Sequence, residues 1–256
     1  MAMVKISTVI IAQNEEHRIP GAIQSVQPFS AEILIIDGGS TDRTVAVAET
    51  FGARVVANSW PGYAAQRNFG AAQALHDWIF YIDADERVDP VLAQAIVQLT
   101  QAGASAQDAF AIRRQGVFWG RSVDTEKPHT RLYNRTAYAI TDTLVHERPS
   151  APPEKTTVLP GTVGHDGSID LHHHIEKFNR YTSLDAQERV RAGRRGISLY
   201  RLLLRPALVF ANLYLRRGLI RHGTTGFCVC FFKAWYDVTV ELKIYEQVAV
   251  KPRGLA

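Results

Sequence analysis

Asp83-Ala84-Asp85 closes the apolar run Trp78-Ile79-Phe80-Tyr81-Ile82. Two carboxylates one residue apart, at the end of a buried type of strand, are suited to holding a divalent cation against a diphosphate. Hard cations such as Mg²⁺ and Mn²⁺ take oxygen ligands and keep positions open for water and substrate phosphates. In an extended segment Asp83 and Asp85 are expected on the same side, because side chains alternate with period 2. Alone, such a pair is more often a turn or a helix N-cap. A second acidic strand end shifts the balance. Ile33-Leu34-Ile35-Ile36 runs into Asp37-Gly38-Gly39-Ser40-Thr41-Asp42. Four consecutive apolar residues suit a strand covered on both faces, as in a parallel sheet. Ser40 or Thr41 is expected to cap the helix that follows, with Val45, Ala48 and Phe51 on its inner face. Ligands of open parallel sheets bind beyond the carboxyl ends of the strands. Asp37 and the Asp83/Asp85 pair are therefore read together as one site.

The surrounding elements fit that placement. Strands are predicted over Val4–Ala12, Glu32–Asp37, Arg54–Ala57 and Trp78–Asp83, with Ala109–Arg114 as a further candidate. Helices are predicted over Glu15–Val26, Thr41–Phe51, Gly62–Leu75 and Pro90–Gln101. This alternation predicts an α/β fold with a mostly parallel sheet and right-handed crossovers. Residues 115–170 read as irregular, with aromatic residues and a Pro-rich stretch. Residues 175–249 read as helical. The expected organisation is a nucleotide-binding, catalytic domain over residues 1–170 and a basic helical region over 171–256.

The 256 residues are 46% apolar and 21% charged, enough for a substantial core. Val4–Ala12 is short, carries Lys5 and Ser7, and reads as a first strand rather than a signal peptide. Cys228 and Cys230 are too few for a disulfide framework, and a reducing cytoplasmic setting fits. Net charge is +4 but unevenly spread. Ile175 to Arg221 holds 11 Lys or Arg against 3 Asp or Glu, leaving 18 against 22 elsewhere. Such asymmetry points to an anionic partner for the C-terminal part. The segments Leu199–Arg205 and Phe210–Arg217 interleave apolar and basic residues, and neither is long enough to cross a bilayer. Two readings stay open: helices lying on an anionic membrane surface, or helices packed on the catalytic domain with arginines reaching outward.

At this point a resemblance enters. Ile10-Ile11-Ala12-Gln13-Asn14-Glu15-Glu16, Ile36–Thr44, Gln66-Arg67-Asn68, Asp83–Arg87, Arg131-Leu132, Val145-His146-Glu147, His165 and Lys177-Phe178-Asn179-Arg180-Tyr181 together resemble family 2 glycosyltransferases of the GT-A fold. Within that group the chain is similar to bacterial lipopolysaccharide inner-core glucosyltransferases. Leu219-Ile220-Arg221-His222-Gly223 departs from the Asp-Gly common after that apolar pair.

The resemblance implies roles. Gln13, Asn14 and Glu15 would line the nucleotide pocket. Asp37 would accept hydrogen bonds from the uracil or ribose of a UDP-sugar. Arg67 would meet the base, Asp37 or the phosphates. Asp83 and Asp85 would hold Mg²⁺ or Mn²⁺, and His165 would touch the diphosphate or the metal. Glu147 would be the catalytic base of an inverting transfer, with Asp142 as fallback and an ion pair to Arg148 or Arg131 as the structural alternative. Trp119, Arg131 and Tyr133 would shape the acceptor cleft. His172-His173-His174 is read as incidental. The implied partners are a nucleotide sugar and an anionic saccharide or glycolipid acceptor, at the cytoplasmic face of the inner membrane. Nucleic acid is not expected. Competing readings are a sugar nucleotidyltransferase, which would need a Gly-rich basic loop after the first strand, and a non-catalytic binding module using the basic helices.

Overall fold

The computed structural model describes residues 4–118, 121–123, 127–141, 148–165 and 171–250. The chain divides into two compact units: residues 1–116 with 126–166, and residues 117–125 with 167–256.

The first unit is built on a mixed sheet. Its parallel half is β1 (Ile6–Ala12), β2 (Glu32–Asp37), β3 (Arg54–Ala57) and β4 (Trp78–Asp83), in the spatial order β3-β2-β1-β4. All of β1 is buried, as its run of apolar residues requires. Alternate residues feed the two faces. Ile6 and Ile10 join Ile35 and Phe80 in one core with Ile19 and Ile23 of α1 (Ile19–Val26), Ala48 of α2 (Thr44–Thr50) and Leu92 of α4 (Pro90–Ala102). Val9 and Ile11 join Ile36 and Tyr81 in a second core with Ala64 and Ala71 of α3 (Tyr63–Gln73). The register then sets the site. Ala12 pairs with Asp37, Asp37 with Ala57, and Ile11 with Asp83. The strand ends that carry acidic residues thus share one rim.

The second half of the sheet comes largely from the stretch that reads as irregular. The strands are β5 (Glu86–Val88), β6 (Ala109–Phe118), β7 (Arg121–Val123), β8 (His129–Asn134) and β9 (Thr156–His165). The order continues β4-β8-β6-β9-β5, with β7 on β6. β8 is antiparallel to β4 and to β6, and β5 is antiparallel to β9. Pro160 and Gly161 hide β9 in the sequence. They sit where the β6–β9 register shifts, between Ala111 and Arg113, the kind of irregularity that admits such residues into a strand. Asp89 ties this half together. One carboxylate oxygen caps α4 through the Leu92 amide at 2.7 Å, and the other accepts from the Thr162 amide and hydroxyl at 2.7 and 2.8 Å.

The second unit is helical: α5 (Leu171–Arg191), α6 (Arg205–Ala211) and α7 (Gly223–Tyr245), with π-type turns at Tyr200–Leu204 and Asn212–Arg216. Val229, Cys230, Leu213 and Leu219 form one small core, and Ala186, Val240 and Ile244 another. Both cysteines are free thiols. Lys243 of α7 reaches back to α5, where its ammonium donates to the carbonyl and side chain of Asn179 and to Thr182 and Ser183 at 2.6–2.8 Å. Asn179 of the Lys177–Tyr181 motif therefore has a structural partner. Among the described residues no helix is long and apolar enough to cross a membrane.

Gly70 shows how closely α3 approaches the sheet. A Cβ at that position would lie 2.5 Å from Val9 Cγ1 and 2.9 Å from Ile36 Cγ1. Gly70→Ala is expected to destabilise the fold by about 1–3 kcal/mol through overpacking, read as a lowered thermal midpoint; an unchanged midpoint would refute the close approach.

Candidate active site

Two loops on the rim are laced together. The β1–α1 loop meets the β2–α2 loop through the side chain of Asn14, whose Oδ1 accepts from the Thr41 amide (2.8 Å) and hydroxyl (3.3 Å). The Asn14 amide donates to Ser40 Oγ at 2.9 Å, the Glu15 amide to Thr44 Oγ1 at 2.7 Å, and the Glu16 amide to Asp42 Oδ2 at 3.2 Å. Gln13 Nε2 donates to the Gly38 carbonyl at 3.2 Å. Glu16 in turn accepts from the Arg43 backbone and guanidinium. Asn14 holds φ +58°, a left-handed conformation that Asn tolerates better than most residues. Asp37 is buried and folds its own turn. It accepts from the Gly39 and Ser40 amides at 3.0 Å and from the Ser40 hydroxyl at 2.5 Å. Ser40 is thus engaged by Asp37 and Asn14, and neither it nor Thr41 caps α2. Asp42 receives the Thr44 amide and hydroxyl instead.

Deeper in the rim lies a lattice of guanidinium and carboxylate groups. Arg67 on α3 is buried and donates through Nη2 to Asp83 Oδ1 at 2.5 Å. Arg131 on β8 forms a two-pronged pair with Glu86, at 2.6 and 2.8 Å, and Arg114 Nε lies 3.1 Å from the same carboxylate. Glu86 is fully buried, and it also accepts the Asp83 amide at 3.0 Å. Tyr81 joins the two halves. Its ring lies 5.1 Å from the Arg67 guanidinium carbon and 5.4 Å from that of Arg131, while its hydroxyl donates to the Thr130 carbonyl. Burial would raise the Asp83 carboxyl, but Arg67 and Arg131 outweigh it and hold it well below the usual carboxylate range. Burial would lower the Arg131 guanidinium; Glu86 foremost keeps it raised.

The predicted residues fall as follows. Gln13, Asn14, Glu15, Asp37, Arg67 and Asp83 lie on the loops and strand ends of one rim. Asp85 is half-buried in the turn between β4 and β5. The strand ends at Asp83, so the period-2 argument for a shared side stops there. His165 is the last residue of β9, and its backbone pairs opposite Glu86, one residue beyond Asp85. Glu147, Asp142, His146 and Trp119 lie outside the described residues. Arg131 and Tyr133 are buried, and Arg131 is committed to Glu86. Sequence reasoning gave no role to Glu86 or Arg114. The clue available was the run Asp83-Ala84-Asp85-Glu86, whose third carboxylate needs a counter-charge if buried.

Among the described residues no group of three or more His, Cys, Asp or Glu is gathered as a cation cage. Two carboxylates completed by phosphates and water form the arrangement typical of Mg²⁺ in nucleotide enzymes, and Asp83 and Asp85 are the residues whose donor type would fit it.

The mixed sheet flanked by helices, with acidic residues at the carboxyl ends of its parallel strands, is an α/β architecture of the GT-A type, as the comparisons bear out. A profile of glycosyl transferase family 2 matches residues 7–149, and the chain belongs to that family. It is 32% identical to the lipopolysaccharide core biosynthesis glycosyltransferase LpsC of Rhizobium meliloti, over 97% of this chain and 94% of LpsC. It is 31% identical to an uncharacterized glycosyltransferase of Rickettsia prowazekii, over 88% of this chain and 81% of that one. In fold it is similar to glucosyl-3-phosphoglycerate synthase of Mycobacterium tuberculosis, solved with Mn²⁺, UDP-glucose and phosphoglyceric acid. That match has a TM-score of 0.54 and 20% identity, over 77% of this chain and 83% of that one.

The depressed Asp83 carboxyl carries a signed consequence. The contribution of its ion pair to stability is full above the unfolded carboxylate value, near pH 4, and is lost as pH falls toward the lower folded value. The stability gap between the wild type and Asp83→Asn is expected to be constant from pH 7 to about 5 and to shrink below about pH 4, by denaturant titration. A gap that widened in acid would contradict the pairing.

Proposed function

We propose that this enzyme transfers a hexose, glucose in our reading, from a UDP-sugar to an inner-core saccharide of lipopolysaccharide, with inversion at the anomeric carbon. The observation that carries the reading is the rim. Asp37 and Asp83 stand at the carboxyl ends of β2 and β4, the two parallel strands that flank β1, with Arg67 of α3 paired to Asp83, beside the laced loop of Gln13, Asn14 and Glu15. The similarity to LpsC supports the acceptor class. The UDP-glucose and Mn²⁺ of the structural neighbour support the donor and the cation.

In this reading Gln13, Asn14 and Glu15 wall the nucleotide pocket. The Asp37 oxygens keep acceptor capacity beyond their turn bonds and take a donor from uracil or ribose. Arg67 stays charged at every working pH and, as an arginine, has donors to share between Asp83 and the base or phosphates. Asp83 and Asp85 would hold Mg²⁺ or Mn²⁺, with Asp85 as the direct ligand and His165 at the edge of the same site. Bound there, the cation would act as a Lewis acid toward the charge on the departing UDP. Glu147 takes the proton of the acceptor hydroxyl as its oxygen bonds to the anomeric carbon. The bond from that carbon to the UDP oxygen breaks on the opposite side. The acceptor carries carboxylates or phosphates, which matches the basic charge of the helical unit, and transfer takes place at the cytoplasmic face of the inner membrane.

A UDP-release screen over UDP-sugars and truncated core acceptors, with and without chelator, tests the whole reading. Chelator is expected to abolish release and Mg²⁺ or Mn²⁺ to restore it. Turnover that ignores chelator, or release with no core acceptor and every other saccharide alike, would defeat it. Glu147→Gln is expected to lower kcat by about 10²–10⁴-fold with UDP affinity nearly intact. Near-normal turnover in that variant would remove Glu147 from the role.

A further inference from the structure

The helical unit is amphipathic the wrong way round for water. Arg201 and Arg205 interrupt the leucines of 199–208, and in a water-facing helix they would point out. Here they turn in. Arg205 Nη1 lies 3.0 Å from Asp237 Oδ1, and Arg201 Nε lies 4.0 Å from Glu241 Oε1. Arg194 joins them at 2.9 Å from Glu241, whose carboxylate also accepts the Ser198 amide at 2.8 Å. Glu241 is fully buried and Asp237 nearly so. The leucines take the outside instead: Leu199 and Leu203 are 65% exposed, Leu204 62% and Leu208 58%.

The longest helix repeats the pattern. Phe227, Phe231, Trp235, Leu242 and Tyr245 of α7 are each 46–48% exposed. At about 100° per residue they fall within an arc of about 80°, and at 1.5 Å per residue they form a stripe about 27 Å long. Phe231 and Trp235 stack with their rings 7° from parallel. Of the 19 large apolar side chains exposed among the described residues, 15 lie between 171 and 245. Exposed apolar surface this extensive marks an interaction face.

Charge selects the occupant. Residues 171–250 hold 13 Lys or Arg against 6 Asp or Glu, an excess of seven positive charges. Arg195, Arg216 and Arg221 are exposed, so basic groups flank the outward leucines. A second copy of the chain would bring like charges together, whereas an anionic bilayer offers both apolar depth and negative headgroups. We infer that the α7 stripe and the leucines of 199–208 insert into the interfacial layer of an anionic membrane, with the guanidiniums of Arg201 and Arg205 directed at the acids of α7. This deepens the membrane location given under the proposed function, assigns it to these residues, and makes apolar insertion the main contact.

Flotation of the full chain with vesicles of phosphatidylethanolamine and phosphatidylglycerol, against phosphatidylcholine alone, tests it. Binding is expected to prefer the anionic vesicles and to persist in part at high salt. Trp235→Ser and Phe231→Ser are each expected to weaken vesicle partitioning about ten-fold. Leu75→Ser, an exposed apolar residue of the first unit, should leave it unchanged. Both stripe residues are exposed, so the variants should keep the wild-type thermal midpoint. Partitioning unaffected by the stripe substitutions, binding abolished by salt alone, or no vesicle binding at all would overturn the inference. So would a lipid-free dimer that the same substitutions split. UDP release on a soluble core acceptor, measured on the same variants, separates the two claims. Vesicle binding without sugar transfer would sink the proposed activity and leave this surface standing.

Discussion

Bringing acidic strand ends together on one rim is electrostatically unfavourable, and two buried arginines resolve it. Asp83, Asp85 and Glu86 fall within four residues, and clustered carboxylates raise one another's pKa until one takes up a proton. A protonated Asp83 would be a poor cation ligand. Arg67 and Arg131 prevent that by placing positive charge beside Asp83 and Glu86 at close range. The pairs are not a large source of stability, because desolvating two charges costs about as much as their attraction returns. Their value is directional. Glu86 accepts the Asp83 amide while two arginines grip its carboxylate, so the backbone where β4 ends is fixed from behind. Tyr81 sets the spacing: its ring meets both guanidiniums, and its hydroxyl is anchored to Thr130.

The other wall of the rim is rigid for a different reason. Loops at strand ends are usually the most mobile parts of an α/β fold. Here each backbone amide from Asn14 to Glu16 is paired with a side chain of the neighbouring loop. The left-handed Asn14 is the hinge of that lacing, since it lets the amide and the side chain reach Ser40 and Thr41 at once. A loop held on both sides presents its remaining groups in a fixed geometry, which lowers the entropy cost of ordering them around a ligand.

The parallel half of the sheet was legible because its strands are uniform apolar runs with one solution. Glu32–Asp37, Arg54–Ala57 and Trp78–Asp83 are found with the expected bounds. The mixed half was legible only at Ala109–Arg114, which opens β6. β9 mixes Thr, Pro and Gly, and β5 is three residues long, held by pairing with β9 rather than by any pattern of its own. The acidic residues of the site could be picked out by type, but their partners could not. Arg67 lies sixteen residues before Asp83, and Arg131 lies 45 after Glu86. Nothing local distinguishes such arginines from surface ones. The argument placing Asp85 beside Asp83 failed in a different way, because alternation along a strand says nothing about a turn.

The helical unit shows the same limit in its sharpest form. Leucine interleaved with arginine reads as amphipathic whichever residue faces inward, and the sequence alone leaves the sign open. Asp237 and Glu241 decide it. Set one turn apart on the inner side of α7, each is too costly to bury without a cation nearby. Burial pushes the Asp237 carboxyl up, and Arg205, Arg189 and Arg201 counter it. Once those arginines are recruited inward, helix geometry sends the adjoining leucines outward. An exposed apolar face on this unit is then a consequence of its buried acids rather than an accident of packing.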